Sequence, residues 1–351
     1  MRIGLTLPLV LQTAAESVEL AQEAHARGVR EVWLAEVGAN DSYALAGALS
    51  QAMPATRFGT AVVPAQTRAP MVHAMAAATL SQLTGGRFVL GLGISSENIV
   101  RDWAGLAFDR PVRRMREHVE VLRRALDGER VDFDGDTLSV HRFRLQTRPE
   151  GRVPIYLAAL NPGMLHLAGA VADGVILNMV PEAALAQVLG AVREGAERAG
   201  RDPGAIEVVS RIHVHVTDDP ETDVNLVRSA FGAYAATQGY NRLFRWIGFE
   251  DEATAIAEAF ARGDREAVAA AMTQRLCDAM AVVGDTESVR ARLRAYADAG
   301  VDVVVLNPIW PDPQRQRRTL DALWDCLDAI ASTGGGALGV VRGTQPSGTP
   351  L

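Results

Sequence analysis

The sequence predicts an α/β barrel of eight βα units, and three observations predict it. Short β-branched runs alternate with longer stretches of helical period along most of the 351 residues. Several helical stretches open at a proline, which suits the first turn of a helix because the missing N–H has no partner there. The alternation completes eight units, the number that closes a TIM barrel. We expect one barrel domain over residues 1–333 and a disordered tail over residues 334–351, which are rich in Gly, Pro, Ser and Thr.

The predicted strands are short and apolar, with β-branched residues in most of them. They run from Arg2 to Leu7, Glu31 to Glu36, Arg57 to Val63, Phe88 to Leu92, Pro154 to Ala159, Gly174 to Asn178, Glu207 to Val216 and Asp302 to Asn307. Each predicted helix carries its apolar residues on one face, as a helix packed against a barrel must. The helices run from Ala14 to Arg27, Ser42 to Gln51, Pro70 to Leu83, Pro111 to Leu126, Pro162 to Val171 and Pro181 to Ala199, then beyond Pro220, and finally from Arg315 to Ile330.

Two segments exceed a minimal barrel. Glu129 to Gly151 follows the fourth helix and contains Asp134-Gly135-Asp136, a turn signal between two alternating runs, which predicts a small hairpin. Thr237 to Gly263 lies between the seventh and eighth strands and is crowded with aromatic residues. We expect this second insertion to close over a substrate, because long loops on the carboxyl side of a barrel often do so.

The composition favours a small soluble ligand over a polymer. The formal net charge is −7 and the basic residues are spread along the chain, so neither nucleic acid nor a membrane surface is an expected partner. No apolar run reaches the roughly 18 residues of a spanning helix, and no secretory signal pattern is present, so we expect a cytoplasmic protein. Cys277 and Cys326 are far apart and lack partners at metal-ligand spacing, which argues against a zinc site or a disulfide framework.

The carboxyl ends of the strands, where barrel enzymes place their sites, contain few groups for acid-base chemistry. Glu36 and His215 are the ionisable residues there that qualify. This scarcity predicts that a cofactor supplies the chemistry. His213-Val214-His215 has the spacing of a metal chelate, but no carboxylates stand at the neighbouring strand ends, so no metal is expected. We expect Arg211, His213 and His215 to fill the barrel interior, with His215 nearest the mouth and in reach of a ligand.

Glu36 follows an apolar strand and has two interpretations. A desolvated carboxylate at the mouth of the barrel could have a raised pKa and transfer protons. Alternatively, Glu36 caps the helix that begins near Ser42 or pairs with an arginine such as Arg68. The residues themselves leave both interpretations open.

The run from Phe88 to Gly93 ends in Gly-Leu-Gly, so the exit of this strand is free of side chains and a flat ligand or a phosphate could approach its backbone. A dinucleotide fold is not expected, because Ser96 replaces the third glycine and the run follows the fourth strand instead of the first. The stretch from Ala158 to Leu165 is a second signal. It contains small alanines, a turn and a helix N-terminus, whose amides can hold a phosphate.

Several motifs occur in order along the chain. They are Gly59-Thr60-Ala61-Val62-Val63-Pro64 with Thr67-Arg68-Ala69-Pro70, the run from Thr84 to Gly93, and Ala158-Ala159 through Met164 to Ala168-Gly169-Ala170-Val171-Ala172-Asp173-Gly174-Val175-Ile176. Together they resemble the luciferase-like monooxygenase superfamily over roughly residues 1–330, and an ordered set is more specific than any lone motif. Trp103 with Gly105, Phe108-Asp109-Arg110-Pro111 and Arg116-Glu117 are similar to the branch of oxidoreductases that use the deazaflavin coenzyme F420, which includes methylenetetrahydromethanopterin reductase.

The resemblance implies positions for the coenzyme. A non-prolyl cis peptide would join Ala61 and Val62 at the end of the third strand and press against the back of the tricyclic ring. Gly91, Gly93 and Ser95 would leave room beside the ring. The coenzyme phosphate would lie at the turn into the fifth helix, formed by Ala158, Ala159, Leu160, Asn161, Gly163 and Met164.

The chain departs from the resemblance at positions that are expected to act on the substrate. Several relatives carry an Asp-His pair at the end of the second strand, where this chain has Glu36-Val37, so the histidine proton donor is absent. Glu36 is left as the expected proton-transfer residue. Asn178, His215 and Trp246 are the expected substrate contacts.

We therefore expect an oxidoreductase, working as a homodimer, that transfers a hydride between coenzyme F420 and a small organic substrate. The first alternative is an FMN-dependent monooxygenase of the same superfamily, in which reduced flavin activates oxygen. A second alternative, from another class, is a coenzyme-binding protein without catalytic activity, which the scarcity of acid-base groups would fit.

Overall fold

Eight parallel strands close into a barrel in the computed structural model of the protein, which describes residues 1–324. The twelve strands of the structure are β1 (Arg2–Leu7), β2 (Glu31–Leu34), β3 (Arg57–Thr60), β4 (Val63–Pro64), β5 (Phe88–Gly93), β6 (Arg130–Asp134), β7 (Ser139–Arg144), β8 (Ile155–Ala158), β9 (Gly174–Asn178), β10 (Glu207–Val216), β11 (Ala281–Gly284) and β12 (Val303–Pro308). The barrel order is β1, β2, β3, β5, β8, β9, β10 and β12, and β12 pairs with β1 to close the ring. The predicted TIM barrel is confirmed.

Helices surround the barrel, and several begin at the prolines that the sequence analysis used. Pro70, Pro111, Pro162 and Pro220 each open a helix as predicted, whereas α6 begins at Leu185 instead of Pro181 and α13 begins at Pro313 instead of Arg315. The bounds are α1 (Ala14–Ala26), α2 (Ser42–Ala52), α3 (Pro70–Thr84), α4 (Pro111–Leu126), α5 (Pro162–Val171), α6 (Leu185–Arg198), α7 (Pro220–Ala236), α8 (Gln238–Trp246), α9 (Glu250–Ala261), α10 (Arg265–Ala271), α11 (Gln274–Met280), α12 (Thr286–Asp298) and α13 (Pro313–Trp324). The predicted tail and the predicted end of the last helix lie outside the described residues.

Three strand predictions differ from the structure. β2 ends at Leu34, so Glu36 lies in the loop that follows, and the third predicted strand is divided into β3 and β4. The strand β11 was missed. It pairs with β10 from His213 to Val216, beyond Arg211, where the pairing of β10 with β9 ends. β11 has only four residues, which is too short for an alternating apolar pattern to be recognised in the sequence.

Both insertions are present, with different architectures. The first forms the antiparallel hairpin β6–β7, whose turn is tied to α4 because the Glu117 carboxylate accepts hydrogen bonds from the backbone amides of Asp136 and Thr137, both at 2.9 Å. The second is helical and longer than predicted. It comprises α8 to α11 and continues to Met280.

The main hydrophobic core lies between the barrel and the helices, and a smaller cluster fills the barrel itself around Trp33. The amino-terminal end of the barrel is closed by the barrel floor, a set of charged residues and a tyrosine. Arg57 donates to Glu207 at 2.6 Å and to the Tyr156 hydroxyl at 2.8 Å, and Arg2 lies 2.9 Å from Glu31. The barrel floor consists of Arg2, Glu31, Arg57, Tyr156 and Glu207. Among residues 1–324 this end of the barrel is closed, which leaves its carboxyl end for a ligand to enter.

Candidate active site at the barrel mouth

The carboxyl end of the barrel, here called the barrel mouth, has two chemically different halves. β5 and β12 stand opposite each other in the closed strand order, and each is the centre of one half. The small-residue wall consists of Ala61, Val62, Gly91, Gly93 and Ala158. The polar wall consists of Thr6, Asn178, Arg211, His213 and Asn307. A flat apolar ligand fits the first wall, and a polar reacting group fits the second.

The small-residue wall is built around a break in β3. The peptide bond between Ala61 and Val62 is cis, the geometry that the resemblance implies. Pairing of β3 with β5 stops at Gly59, and the Thr60 hydroxyl bridges the gap by accepting from the Gly91 amide at 2.9 Å and donating to the Gly91 carbonyl at 2.7 Å. The backbone polar groups of β5 are therefore satisfied while the chain of β3 turns into the mouth.

The glycines of β5 make this break possible. A Cβ atom on Gly91 would lie 1.8 Å from the Thr60 carbonyl oxygen, and one on Gly93 would lie 2.5 Å from a methyl group of Val62. Either contact is shorter than atoms tolerate. These two glycines thus accommodate the displaced β3 chain directly, and any space beside a ligand ring follows from that.

The turn into α5 supplies a helix N-terminus beside the same wall. Asn161 occupies the N-cap position, and its side chain donates to the Gly239 carbonyl at 3.1 Å instead of capping the helix. Gly163, in the first turn, is exposed, and a Cβ atom there would meet only Val112, at 3.6 Å. Backbone N–H groups at this end can donate to an anion. Ala159, Leu160 and Met164 pack into the outer core.

Hydrogen bonds connect the polar wall into one chain. The Asn307 amide donates to His213 Nδ1 at 2.7 Å, and His213 Nε2 lies 3.2 Å from the Asn178 side-chain oxygen. The Asn178 amide in turn donates to the hydroxyl of Tyr240, on α8, at 2.6 Å. Burial, together with the positive charge of Arg211, holds the pKa of His213 well below its usual value. His213 is therefore a neutral hydrogen-bonding group.

Glu36 has both partners that its structural interpretation requires. Arg68 donates to its two carboxylate oxygens at 2.6 and 3.0 Å, and the backbone amide of Ser42 donates to it at 3.0 Å. Arg68 also pairs with Asp41 at 2.6 Å. Both carboxylate oxygens of Glu36 are thus occupied by structural hydrogen-bond donors, so its predicted catalytic role has no support in these contacts.

The other predicted site residues occupy separate places. His215 is buried, with Nε2 3.1 Å from an Asp223 oxygen and Nδ1 3.3 Å from the Thr319 hydroxyl, so its imidazole is held by α7 and α13. Trp246 lies at the far end of α8 from Tyr240. Ser95 follows β5 with a φ of 61° and is partly exposed. The structure therefore brings Asn178 to the polar wall and leaves His215 and Trp246 elsewhere.

Sequence reasoning missed Tyr240, Asn307 and Thr6 as members of the site. Asn307 and Thr6 stand near the carboxyl ends of β12 and β1, so a search of strand ends for hydrogen-bonding residues could have found them. Tyr240 lies in the aromatic insertion. Its reach to Asn178 depends on how α8 folds back, which no local pattern reveals.

The family assignment rests on a match that spans most of the chain. The family model for luciferase-like monooxygenases matches residues 1–303. The chain belongs to this family.

Curated relatives of this luciferase-like protein include reductases and oxidoreductases. The chain is 28% identical over 304 residues to a 5,10-methylenetetrahydromethanopterin reductase of Archaeoglobus fulgidus, covering 85% of this chain and 90% of that protein. It is 26% identical over 336 residues to a putative coenzyme F420-dependent oxidoreductase of Mycobacterium tuberculosis, covering 87% of this chain and 96% of the relative.

A solved structure with the same fold is the coenzyme F420-dependent tetrahydromethanopterin reductase of Methanopyrus kandleri. It aligns with a TM-score of 0.77 and 22% identity over 92% of this chain and 97% of that one. At this identity the likeness supports the barrel and its order of elements.

Among residues 1–324, no group of three or more His, Cys, Asp or Glu side chains could hold a metal ion. Within the same range no helix is both long and apolar enough to cross a lipid bilayer.

Proposed function

We propose that this luciferase-like protein is an oxidoreductase that uses coenzyme F420 and transfers a hydride between the deazaflavin and a small organic substrate. The observation that carries the proposal is the pairing of the small-residue wall with the open N-terminus of α5 on one side of the mouth. The wall suits a flat ring, and the helix N-terminus suits a phosphate. The relatives named for F420 chemistry support the choice of coenzyme.

The residues present fit such a coenzyme. The side chains of Ala61, Val62 and Ala158 are partly exposed at the mouth, so a ring face can lie against them. The turn from Ala158 to Met164 would hold the phosphate, with the exposed amide of Gly163 as its donor. When bound, the coenzyme would supply the hydride, and the protein would supply binding and orientation.

The protein's own residues then act on the substrate from the opposite side. A ring against the small-residue wall leaves its other face toward the polar wall, where Asn178 and Arg211 stand. The substrate would be bound between the two. Glu36, held by Arg68, would fix the loop after β2 at the rim of the mouth.

A titration of the protein with F420 tests the proposal. We expect F420 to bind and Gly163→Asp to abolish binding, because a carboxylate at the helix N-terminus would repel the phosphate. Gly163→Asn has the same shape without the charge and should retain most of the affinity. Isothermal calorimetry measures all three, and equal affinity of the Asp and Asn variants would remove the phosphate from this site.

The same titration separates the alternatives. Tight binding of reduced FMN with oxygen consumption, and no binding of F420, would favour an FMN-dependent monooxygenase. F420 binding without turnover of any imine, enone or alcohol would favour a coenzyme-binding protein without catalytic activity.

We further propose that the protein acts as a homodimer on a small-molecule substrate in the cytoplasm. An apolar stripe on α3 supports the dimer. Met71, Val72 and Met75 are 37%, 39% and 47% exposed on that helix, and contiguous exposed apolar residues favour a protein interface.

A further inference from the structure

The hydrogen-bond chain of the polar wall has a direction. The amide of Asn307 can only donate, so His213 Nδ1 is an acceptor and the histidine proton is on Nε2. That proton is directed at the Asn178 oxygen, and the Asn178 amide is thereby left to donate to the oxygen of Tyr240. In this series of hydrogen bonds each residue donates to the next, and the series ends at the hydroxyl oxygen of Tyr240.

The hydroxyl proton of Tyr240 is therefore free for another acceptor. Its oxygen already accepts from Asn178, and no acceptor for its proton is present among residues 1–324. The side chain is partly exposed, and its ring is fixed by stacking on Phe244 at 6.3 Å and by an edge contact with Tyr234 at 6.1 Å. The hydroxyl proton of Tyr240 is thus available to a ligand in the barrel mouth, next to Asn178. The limited access of water to the phenol raises the pKa of Tyr240, which keeps it protonated.

Arg211 places a positive charge in the same region. Its Nε donates to the Thr6 hydroxyl at 3.2 Å, and within residues 1–324 its guanidinium has no carboxylate partner and no other hydrogen bond. Arg211 is only partly exposed, and a charge with little access to water and no carboxylate partner is costly, so a ligand that brings negative charge to this position would be stabilised. On β10, Arg211 lies directly beside Asn178 of β9.

We propose that Tyr240 and Arg211 form an oxyanion site and that the substrate is a carbonyl compound, reduced to an alcohol, or the alcohol in the reverse direction. This inference rests on the proposed function for its hydride. In the reduction, the carbonyl carbon gains the hydride supplied by the bound coenzyme, and the π electron pair moves to the oxygen. The oxygen takes the proton of Tyr240, and water then returns a proton to the tyrosinate.

The charges at the mouth distinguish this substrate class from a cationic imine. An imine substrate is reduced as a cation, and its positive charge would be repelled by Arg211. The carboxylate at the rim of the mouth, Glu36, already has both oxygens bound by Arg68 and is not a partner of Arg211 within residues 1–324. A carbonyl oxygen develops negative charge instead, and both Tyr240 and Arg211 stabilise it.

A phenolate that mimics the developing alkoxide tests the site without turnover. We expect 4-nitrophenolate, followed by its visible absorbance, to bind the protein, and the uncharged 4-nitroanisole of similar shape to bind at least tenfold more weakly. Tyr240→Phe should weaken phenolate binding by about 10- to 100-fold, the worth of one hydrogen bond to a charged group. Asn178→Asp should abolish it, because the new carboxylate accepts the Tyr240 proton and adds a repelling charge.

Tyr234→Phe is the matched control, since it makes the same change on the neighbouring ring and should leave phenolate affinity within twofold. Equal phenolate affinity in the wild type and Tyr240→Phe, or equal binding of phenolate and anisole by the wild type, would overturn the oxyanion site. F420 affinity is measured on the same variants. Phenolate binding without F420 binding would overturn the proposed function alone, and the reverse result would overturn this inference alone.

Discussion

At Glu36 the role predicted from the sequence, proton transfer, differs most from the contacts that the structure shows. A mouth carboxylate after an apolar strand has the position of a proton donor, but Arg68 and Ser42 occupy its oxygens. The sequence is compatible with both a proton-transfer role and a structural ion pair, because a carboxylate at a strand end can have either role when an arginine is available. The choice depends on the path of the loop that carries Arg68, and that path begins at the break in β3.

Glu36→Gln distinguishes the two roles. The change keeps the shape but removes the charge that Arg68 pairs with, so we expect the free energy of unfolding in urea to fall by about 1–2 kcal/mol. F420 affinity should stay within twofold. Glu97→Gln, in an exposed pair with Arg101, is the control and should cost less than about 0.5 kcal/mol. Unchanged stability together with lost turnover would restore the catalytic role of Glu36.

The site residues show how far a chain alone can go at this scale. Asn178 was predictable because it ends a recognisable strand at the catalytic end of a barrel. Tyr240 was not, because it reaches Asn178 from a helix 62 residues later in the chain. Arg211 was placed in the interior by alternation, but its lack of a carboxylate partner within residues 1–324 depends on every neighbouring strand. Alternation gives the face of a residue, and only the closed barrel gives its neighbours.

At the scale of elements, β5 was predicted correctly, but the structure gives its glycines a different role from the one predicted. The exit glycines indicated clearance for a ligand. Their added Cβ atoms would instead strike β3, at the Thr60 carbonyl and at Val62. β3 itself was predicted as one strand, because Ala61-Val62-Val63 has the composition of a continuous strand and nothing in it marks the break. Gly91 and Gly93 of β5 are thus required by the break in the neighbouring strand β3.

Gly91→Ala tests this coupling between the two strands. A methyl group 1.8 Å from the Thr60 carbonyl oxygen forces β3 or β5 to move, so we expect the free energy of unfolding to fall by about 2–4 kcal/mol and F420 affinity to fall with it. Gly47→Ala is the control. It lies in α2 with no atom within 4 Å of the added methyl group, and it should stabilise the protein by about 0.5–1 kcal/mol. A fully stable Gly91→Ala variant would contradict the assigned role of Gly91.

At the scale of the whole molecule, the barrel is a tube with one closed end. Charged residues begin β1, β2, β3 and β10, and the alternation of strands turns all four inward. Their signs are visible in the sequence, but which of them meet depends on strand order around the ring. The closed barrel floor leaves the mouth as the entrance within residues 1–324, so the proposed coenzyme and substrate would enter from the same side.

Removing Arg57 tests whether the barrel floor and the mouth are independent parts of the molecule. Arg57 lies 2.6 Å from Glu207 and 3.5 Å from Glu31, and its side chain is 19% exposed. Arg57→Met leaves two inward carboxylates to share Arg2, so we expect the free energy of unfolding to fall by about 3–5 kcal/mol in a urea titration. Arg101→Met, in the exposed pair with Glu97, should cost less than about 0.5 kcal/mol. Because Ala61 lies four residues further along, roughly 13 Å at the rise of a strand, F420 affinity of the folded variant should be unchanged. A loss below about 1 kcal/mol would mean that water already solvates the barrel floor, and a loss of F420 affinity in the folded variant would mean that the two ends of the barrel are coupled.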